Sequence, residues 1–145
     1  MKKRPAGLGV KDYVIIDAAE TTMKLEDANG EVTVLLTDDA KLRELNRQYL
    51  GVDAPTDVLS FPSGDADPET GKTYLGDVVI SVPRAKAQAA ASGHKLEAEV
   101  QLLVIHGVLH LLGYDHAEPR GKSAMWRAQD RALNDLGLAG ITIHA

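Results

Sequence analysis

The chain has no cysteine, so it has neither a disulfide framework nor a thiolate zinc finger. Any metal must be held by histidine, carboxylate or water. No stretch is long and apolar enough to span a membrane. The basic start Met1-Lys2-Lys3-Arg4 runs into Pro5-Ala6-Gly7-Leu8-Gly9 rather than an apolar signal core, so cytoplasmic residence is the expectation. Positive charge is also scarce: 16 Lys and Arg stand against 21 Asp and Glu, a net charge of −5. That balance argues against indiscriminate nucleic-acid binding, which rests on Lys and Arg. It leaves room only for a local basic face, from Arg84, Lys86, Arg120, Lys122, Arg127 and Arg131. Such residues read first as solvated helix surface. There are no internal repeats, and 145 residues suffice for one domain with a real core but not for two.

What is present has the punctuation of a mixed fold. Val10 to Leu25 reads as a helix, with a short strand at Tyr13 to Ile16 as the alternative. Asn29-Gly30 marks a turn before a buried strand, Glu31 to Leu36. Thr37-Asp38-Asp39 offers capping oxygens for a helix from Ala40 to Tyr49. After a loop at Gly51 to Pro55, Asp57 to Phe61 reads as a strand stopped by Pro62, and Ser63 to Lys72 as a long surface loop. A further strand spans Thr73 to Ser81, and Pro83 suits the first turn of an Ala-rich helix ending near Ser92-Gly93. Two helices follow, Leu96 to Leu112 and Arg120 to Leu136, the second carrying Met125, Ala128, Ala132, Leu133 and Leu136 at core spacing. Ile141-Thr142-Ile143 is a short strand or a loose tail. The expectation is a single α+β domain, residues 1–145, with a small mixed sheet and about four to five helices around one central helix.

That central helix carries the chemistry. His106 to His116 reads His-Gly-Val-Leu-His-Leu-Leu-Gly-Tyr-Asp-His and holds three of the five histidines. His106 and His110 lie one helical turn apart and project from one face. Gly113 falls where a helix-ending glycine can reverse the chain and bring His116 back toward them. Three neutral nitrogen ligands leave a fourth tetrahedral position for water or substrate, as in catalytic zinc. Two of these rings are embedded in the run Leu102 to Leu112, where an unpaired polar ring is costly and coordination would satisfy it. Asp115, beside the third ligand, either holds an imidazole N–H or shapes the turn. Asp57 and Asp77 read as strand residues bonded locally rather than as catalysts. Tyr114 and Trp126 are candidates to stack on bases, with core packing the first reading for Trp126.

The spacing also fits the extended zinc-protease pattern, in which a glutamate general base follows the first histidine. Here that residue is Gly107, so peptidase activity is disfavoured.

Together with Pro55-Thr56-Asp57-Val58-Leu59-Ser60-Phe61-Pro62 and Leu75-Gly76-Asp77-Val78-Val79-Ile80, the histidine motif resembles the YbeY family of bacterial endoribonucleases. The likeness runs from about Thr37 to Gly137 and includes Asn46-x-x-Tyr49 and Met125-Trp126; residues 1–36 match weakly. The resemblance implies a zincin-like α+β fold and one Zn2+ per chain on His106, His110 and His116, with the reacting water bound to that metal. It implies a metal-dependent endoribonuclease of single-strand type, acting in maturation of the 3′ end of small-subunit ribosomal RNA and in ribosome quality control. The implied partners are ribosomal RNA, with small-subunit ribosomal proteins and an assembly GTPase, and no membrane. Leu50, Arg47, Ser60 and Phe61 would line the substrate cleft. One departure stands out: the family pattern has an Arg where this chain has Leu50, and often a Lys at Ala54. A guanidinium grips phosphate bidentately and leucine cannot, so either Arg43, Arg47 or another nearby cation substitutes, or the cleft binds its substrate more weakly or differently. The second functional class is a non-catalytic ribosome assembly factor with a structural metal.

Overall fold

Apolar residues alternate along Glu31–Thr37 (β1), burying Val32, Val34 and Leu36 while the residues between them are half-buried, the period of two of a pleated strand. The computed structural model describes residues 10–138, apart from 55, 67, 70, 72 and 115–118. Before β1 comes the helix Asp12–Leu25 (α1), with an acidic residue in its first turn and Lys24 in its last, complementing the helix dipole. Its buried stripe is Val14, Ile15, Ala18, Ala19 and Thr22. The alanines matter here: Tyr13, Ile16 and Met23 fall off that stripe, which is why larger residues alone gave a mixed spacing.

After β1 come the helix Asp39–Leu50 (α2), the strands Val58–Ala66 (β2) and Thr73–Ser81 (β3), and the helices Val82–Ser92 (α3), Leu96–Leu111 (α4) and Pro119–Asp135 (α5). Asp38 caps α2 by accepting from the Lys41 N–H at 2.8 Å, and Gly51 ends it in the left-handed region. The described strands form one mixed sheet, β1-β3-β2, with β1 parallel and β2 antiparallel to the central β3.

Pro62 does not stop β2, and Ser63 to Ala66 are strand rather than loop. The reason is position: β2 is an edge strand of the described sheet, where a residue without an N–H is tolerated. The pairing register with β3 shifts between Pro62 and Asp65. The tail at Ile141 to Ile143 lies outside the described residues.

Alternation along β3 divides the core. Val78 and Ile80 join the larger cluster with α1, α4 and α5, whereas Val79 packs with Leu42 of α2 and Leu59 of β2. Helix α4 is the hub, packing on α1, α3, α5, β2 and β3. It buries Val100, Leu102, Leu103, Val104, Ile105, Val108 and Leu109, at about 1.5–3 kcal/mol for each fully buried large side chain. So many anchored turns fix the azimuth of the two histidines it carries.

Candidate metal centre

His106 and His110 sit one turn apart near the C-terminal end of α4, half-buried, with ring centroids 4.8 Å apart and planes inclined at 75°. Helix α5 closes over the first ring. Gln129, fully buried, accepts a hydrogen bond from His106 Nδ1 at 2.6 Å through its Oε1. A carbonyl-type oxygen only accepts, so the Nδ1 carries the proton and Nε2 keeps its lone pair. Trp126 stands edge-on to His106 at 6.3 Å, with the Lys122 ammonium 5.7 Å from the Trp126 ring centroid. Both candidate roles of Trp126 are thereby narrowed: it packs against the His106 ring and carries a cation.

The helix ends as the motif requires. Tyr114 N–H donates to the Leu109 carbonyl (3.0 Å) and Gly113 N–H to the His110 carbonyl (3.0 Å), with Gly113 at φ 101°. This is the paired bonding of a Schellman turn, which favours glycine. Beyond it, the Tyr114 hydroxyl donates to Glu26 Oε1 at 2.6 Å, and Arg131 of α5 reaches Glu26 Oε2 at 3.0 Å. The bond to Glu26, reinforced by burial, raises the Tyr114 pKa above its ordinary value. Tyr114, the residue that follows the helix-ending Gly113, is therefore tethered to the end of α1. His116 and Asp115 themselves lie outside the described residues. Among the described residues no three histidine or carboxylate side chains form a metal-holding group.

Position 107 is glycine for a steric reason. A Cβ there would lie 2.5 Å from Val78 Cγ1 and 3.3 Å from the Ser60 hydroxyl, so α4 rests on the sheet through this residue. Ser60 uses the same close approach to donate to the Gly107 carbonyl at 3.0 Å. The glutamate base of the zinc proteases has no room here.

With this geometry in hand, the comparisons with known proteins are decisive. The family model for endoribonuclease YbeY matches residues 11–137. The chain belongs to the YbeY endoribonuclease family. A Roseiflexus sp. (strain RS-1) protein named endoribonuclease YbeY is 47% identical over 143 residues, covering 93% of this chain and 89% of that protein. One of the same name from Brevibacillus brevis is 41% identical over 137 residues, 86% of each. A solution structure from Thermotoga maritima superposes with a TM-score of 0.60 at 26% identity, covering 94% of this chain and 91% of that one. The α+β fold is thus shared over nearly the whole chain.

The YbeY motif around β2 and β3 is divided by the sheet. Ser60 faces α4, whereas Phe61, next along the strand, packs edge-to-face on Tyr49 at 5.4 Å on the α2 side. Asp57 accepts from Gln88 at 3.3 Å and from Thr56 at 3.5 Å, and Asp77 accepts from the Tyr74 hydroxyl. Asp77 is a locally bonded strand residue, whereas Asp57 lies just before β2 and is held in part by Gln88 of α3. Asn46 donates to the Ala54 carbonyl at 2.9 Å and pins the loop after α2. At that helix end Leu50 is 61% exposed. Of its two expected substitutes, Arg43 is gripped by Asp53 at 2.8 Å, which holds the Asp53 carboxyl below its usual range; Arg47 is exposed on α2. The basic face is also partly neutralised, since Arg84 pairs with Asp39 and Arg131 with Glu26. His94 pairs with Glu99 at the start of α4, away from the motif.

Gln129 is the residue that pattern reading passed over. Its signal was a polar side chain inside the apolar stripe Met125, Ala128, Ala132 and Leu133. The donor set fits zinc: two imidazoles on one helix face, one already committed to the tautomer that presents Nε2.

Proposed function

We propose that this chain is a zinc-dependent endoribonuclease that hydrolyses single-stranded RNA, in the cytoplasm, during maturation of the 3′ end of small-subunit ribosomal RNA. The observation that carries the reading is the His106–Gln129 bond beside His110; family membership supplies the reaction class. His106, His110 and His116 would hold one Zn2+, with Asp115 as a possible partner to an imidazole N–H. The metal, when bound, supplies Lewis acidity that polarises a phosphoryl oxygen and lowers the pKa of water toward about 7.

The protein's own side chains have narrower tasks. Gln129 holds the proton on His106 Nδ1, and the Tyr114–Glu26–Arg131 chain anchors Tyr114, two residues before His116 in sequence. Ser60 is spent on the Gly107 carbonyl, so it lines the cleft rather than attacking the substrate. No glutamate base stands at 107, and the nucleophile would be either water activated at the metal or the RNA's own 2′-hydroxyl, the latter expelling the 5′-oxygen and leaving a 2′,3′-cyclic phosphate. Leu50, Arg47 and Phe61 would form the outer, RNA-facing part of the cleft. Small-subunit ribosomal proteins and an assembly GTPase are the partners that suit this role.

One observation favours a second reading, an assembly factor with a structural metal: the exposed Leu50 offers no guanidinium and Arg43 is paired with Asp53, leaving Arg47 as the remaining arginine of α2. The test is cleavage of a ribosomal RNA 3′-end fragment by metal-stripped and zinc-reloaded protein, with His110→Ala alongside. Zinc-dependent cleavage that falls by ~10³-fold in the folded variant, several kcal/mol of transition-state stabilisation, supports the nuclease. Zinc uptake with no cleavage supports the assembly factor.

A further inference from the structure

We propose that Gln129 is a positioning residue that selects the metal-binding tautomer of His106. The inference rests on the reading that zinc sits on His106, His110 and His116. An imidazole has two nitrogens, and only the one without a proton can ligate. The Gln129 Oε1 accepts a hydrogen bond from the His106 Nδ1–H at 2.6 Å, which leaves the Nε2 lone pair free to ligate.

The other half of the same amide argues that this bond is the reason glutamine is there. Gln129 is wholly buried, and its Nε2 finds no hydrogen-bond partner among the described residues. An orphaned buried amide N–H costs stability. The surrounding stripe of Met125, Ala128, Ala132 and Leu133 is apolar, so a leucine would suit packing at least as well. A residue kept at a cost to packing is kept for what its oxygen does. Carboxamide also supplies the acceptor without burying a charge, which a glutamate would do. The placement is rigid, because α5 is locked to the core on either side of Gln129 and tied through Arg131 to Glu26. Loss of such an outer partner typically lowers metal affinity by about 10–100-fold.

The experiment uses the full-length protein and zinc itself. Zinc affinity is measured by competition with a chromogenic chelator for wild type, Gln129→Leu and Gln129→Glu. Alongside, the His106 tautomer is read from ¹⁵N chemical shifts in the zinc-free proteins, with thermal melts of each. The expected result is a Gln129→Leu protein as stable as wild type or more so, with zinc affinity down by about 10–100-fold and the Nδ1–H bias of His106 lost. Gln129→Glu, which keeps an acceptor, restores the affinity. Equal zinc affinity in wild type and Gln129→Leu, or an unchanged tautomer, overturns the proposal while leaving the zinc enzyme intact. If wild type itself takes up no zinc, the functional reading falls instead, and the tautomer comparison alone decides the role of Gln129. Gln129→Met serves as the second variant where Leu does not fold.

Discussion

The two sides of the sheet are built to different tolerances. On the α4–α5 side, His106 is held by a fully buried glutamine, His110 follows on the same helix face, and Gly107 rests on Val78 with no room for a methyl group. At the α2 corner, Tyr49, Leu50 and Val52 are exposed, and Arg43 is already paired with Asp53. The first region resembles a site whose geometry must be held within tenths of an ångström. The second resembles a surface that meets a large, flexible partner, where affinity is adjustable without disturbing the fold. The candidate metal centre and the α2 corner are thus served by neighbouring residues of one strand, Ser60 toward α4 and Phe61 toward α2.

The sharpest way to break this contrast is to crowd the tight side. Gly107→Ala forces α4 off Val78 and should cost about 1–3 kcal/mol, as overpacking does, read as a lower urea midpoint with an unchanged slope. Adding Val78→Ala makes room and should recover part of the loss. A Gly107→Ala protein as stable as wild type would mean that α4 does not bear on the sheet at this residue.

The open side should respond in the other direction. Leu50→Arg restores a guanidinium at the end of α2 and should tighten single-stranded RNA binding by about 3–10-fold at low salt. The plot of log affinity against log salt should steepen by about 0.7, for one added phosphate contact. Stability should be unaffected, because position 50 is largely exposed. Fluorescence anisotropy across a salt series decides it: unchanged affinity and slope would remove this corner from the RNA path.

The same contrast explains what was legible in the sequence. His106, His110 and Gly113 could be read because helical period and helix termination are local rules, whereas the contact of Gly107 with Val78 is tertiary and could not. The helices and β3 were likewise set by local signals such as Asp38, Pro83 and Gly93. The course of β2 through Pro62 was not, because tolerance of proline depends on β2 being an edge, which only strand order reveals. Gln129 was missed for a related reason: it meets His106 across 23 residues of chain, and no periodicity encodes a contact between two helices. The pairing of Arg43 with Asp53 is equally tertiary, and it altered the reading of the cation supply beside Leu50.

The smallest expected effect sets an exposed polar pair against the buried one. Asp39, the first residue of α2, accepts from Arg84 at 3.0 Å and 3.2 Å and from the Ser81 hydroxyl at 2.7 Å. These bonds, Arg84 first, lower its pKa from the ordinary 3.8. A carboxyl whose folded pKa is depressed stabilises the fold fully above its unfolded pKa, and that contribution is lost as pH falls through the folded value. The Arg84 and Asp39 side chains are 37% and 41% exposed, so solvent screening keeps the effect below about 1 kcal/mol. Asp39→Asn should therefore be slightly less stable than wild type at neutral pH, and the two proteins should converge as pH drops below the ordinary aspartate range. Urea midpoints of both proteins from neutral pH to below pH 3.8 provide the measurement. A difference that persists unchanged into acid would show that Asp39 acts through shape and capping rather than charge, which would make this outer pair as geometry-dependent as the buried His106–Gln129 bond.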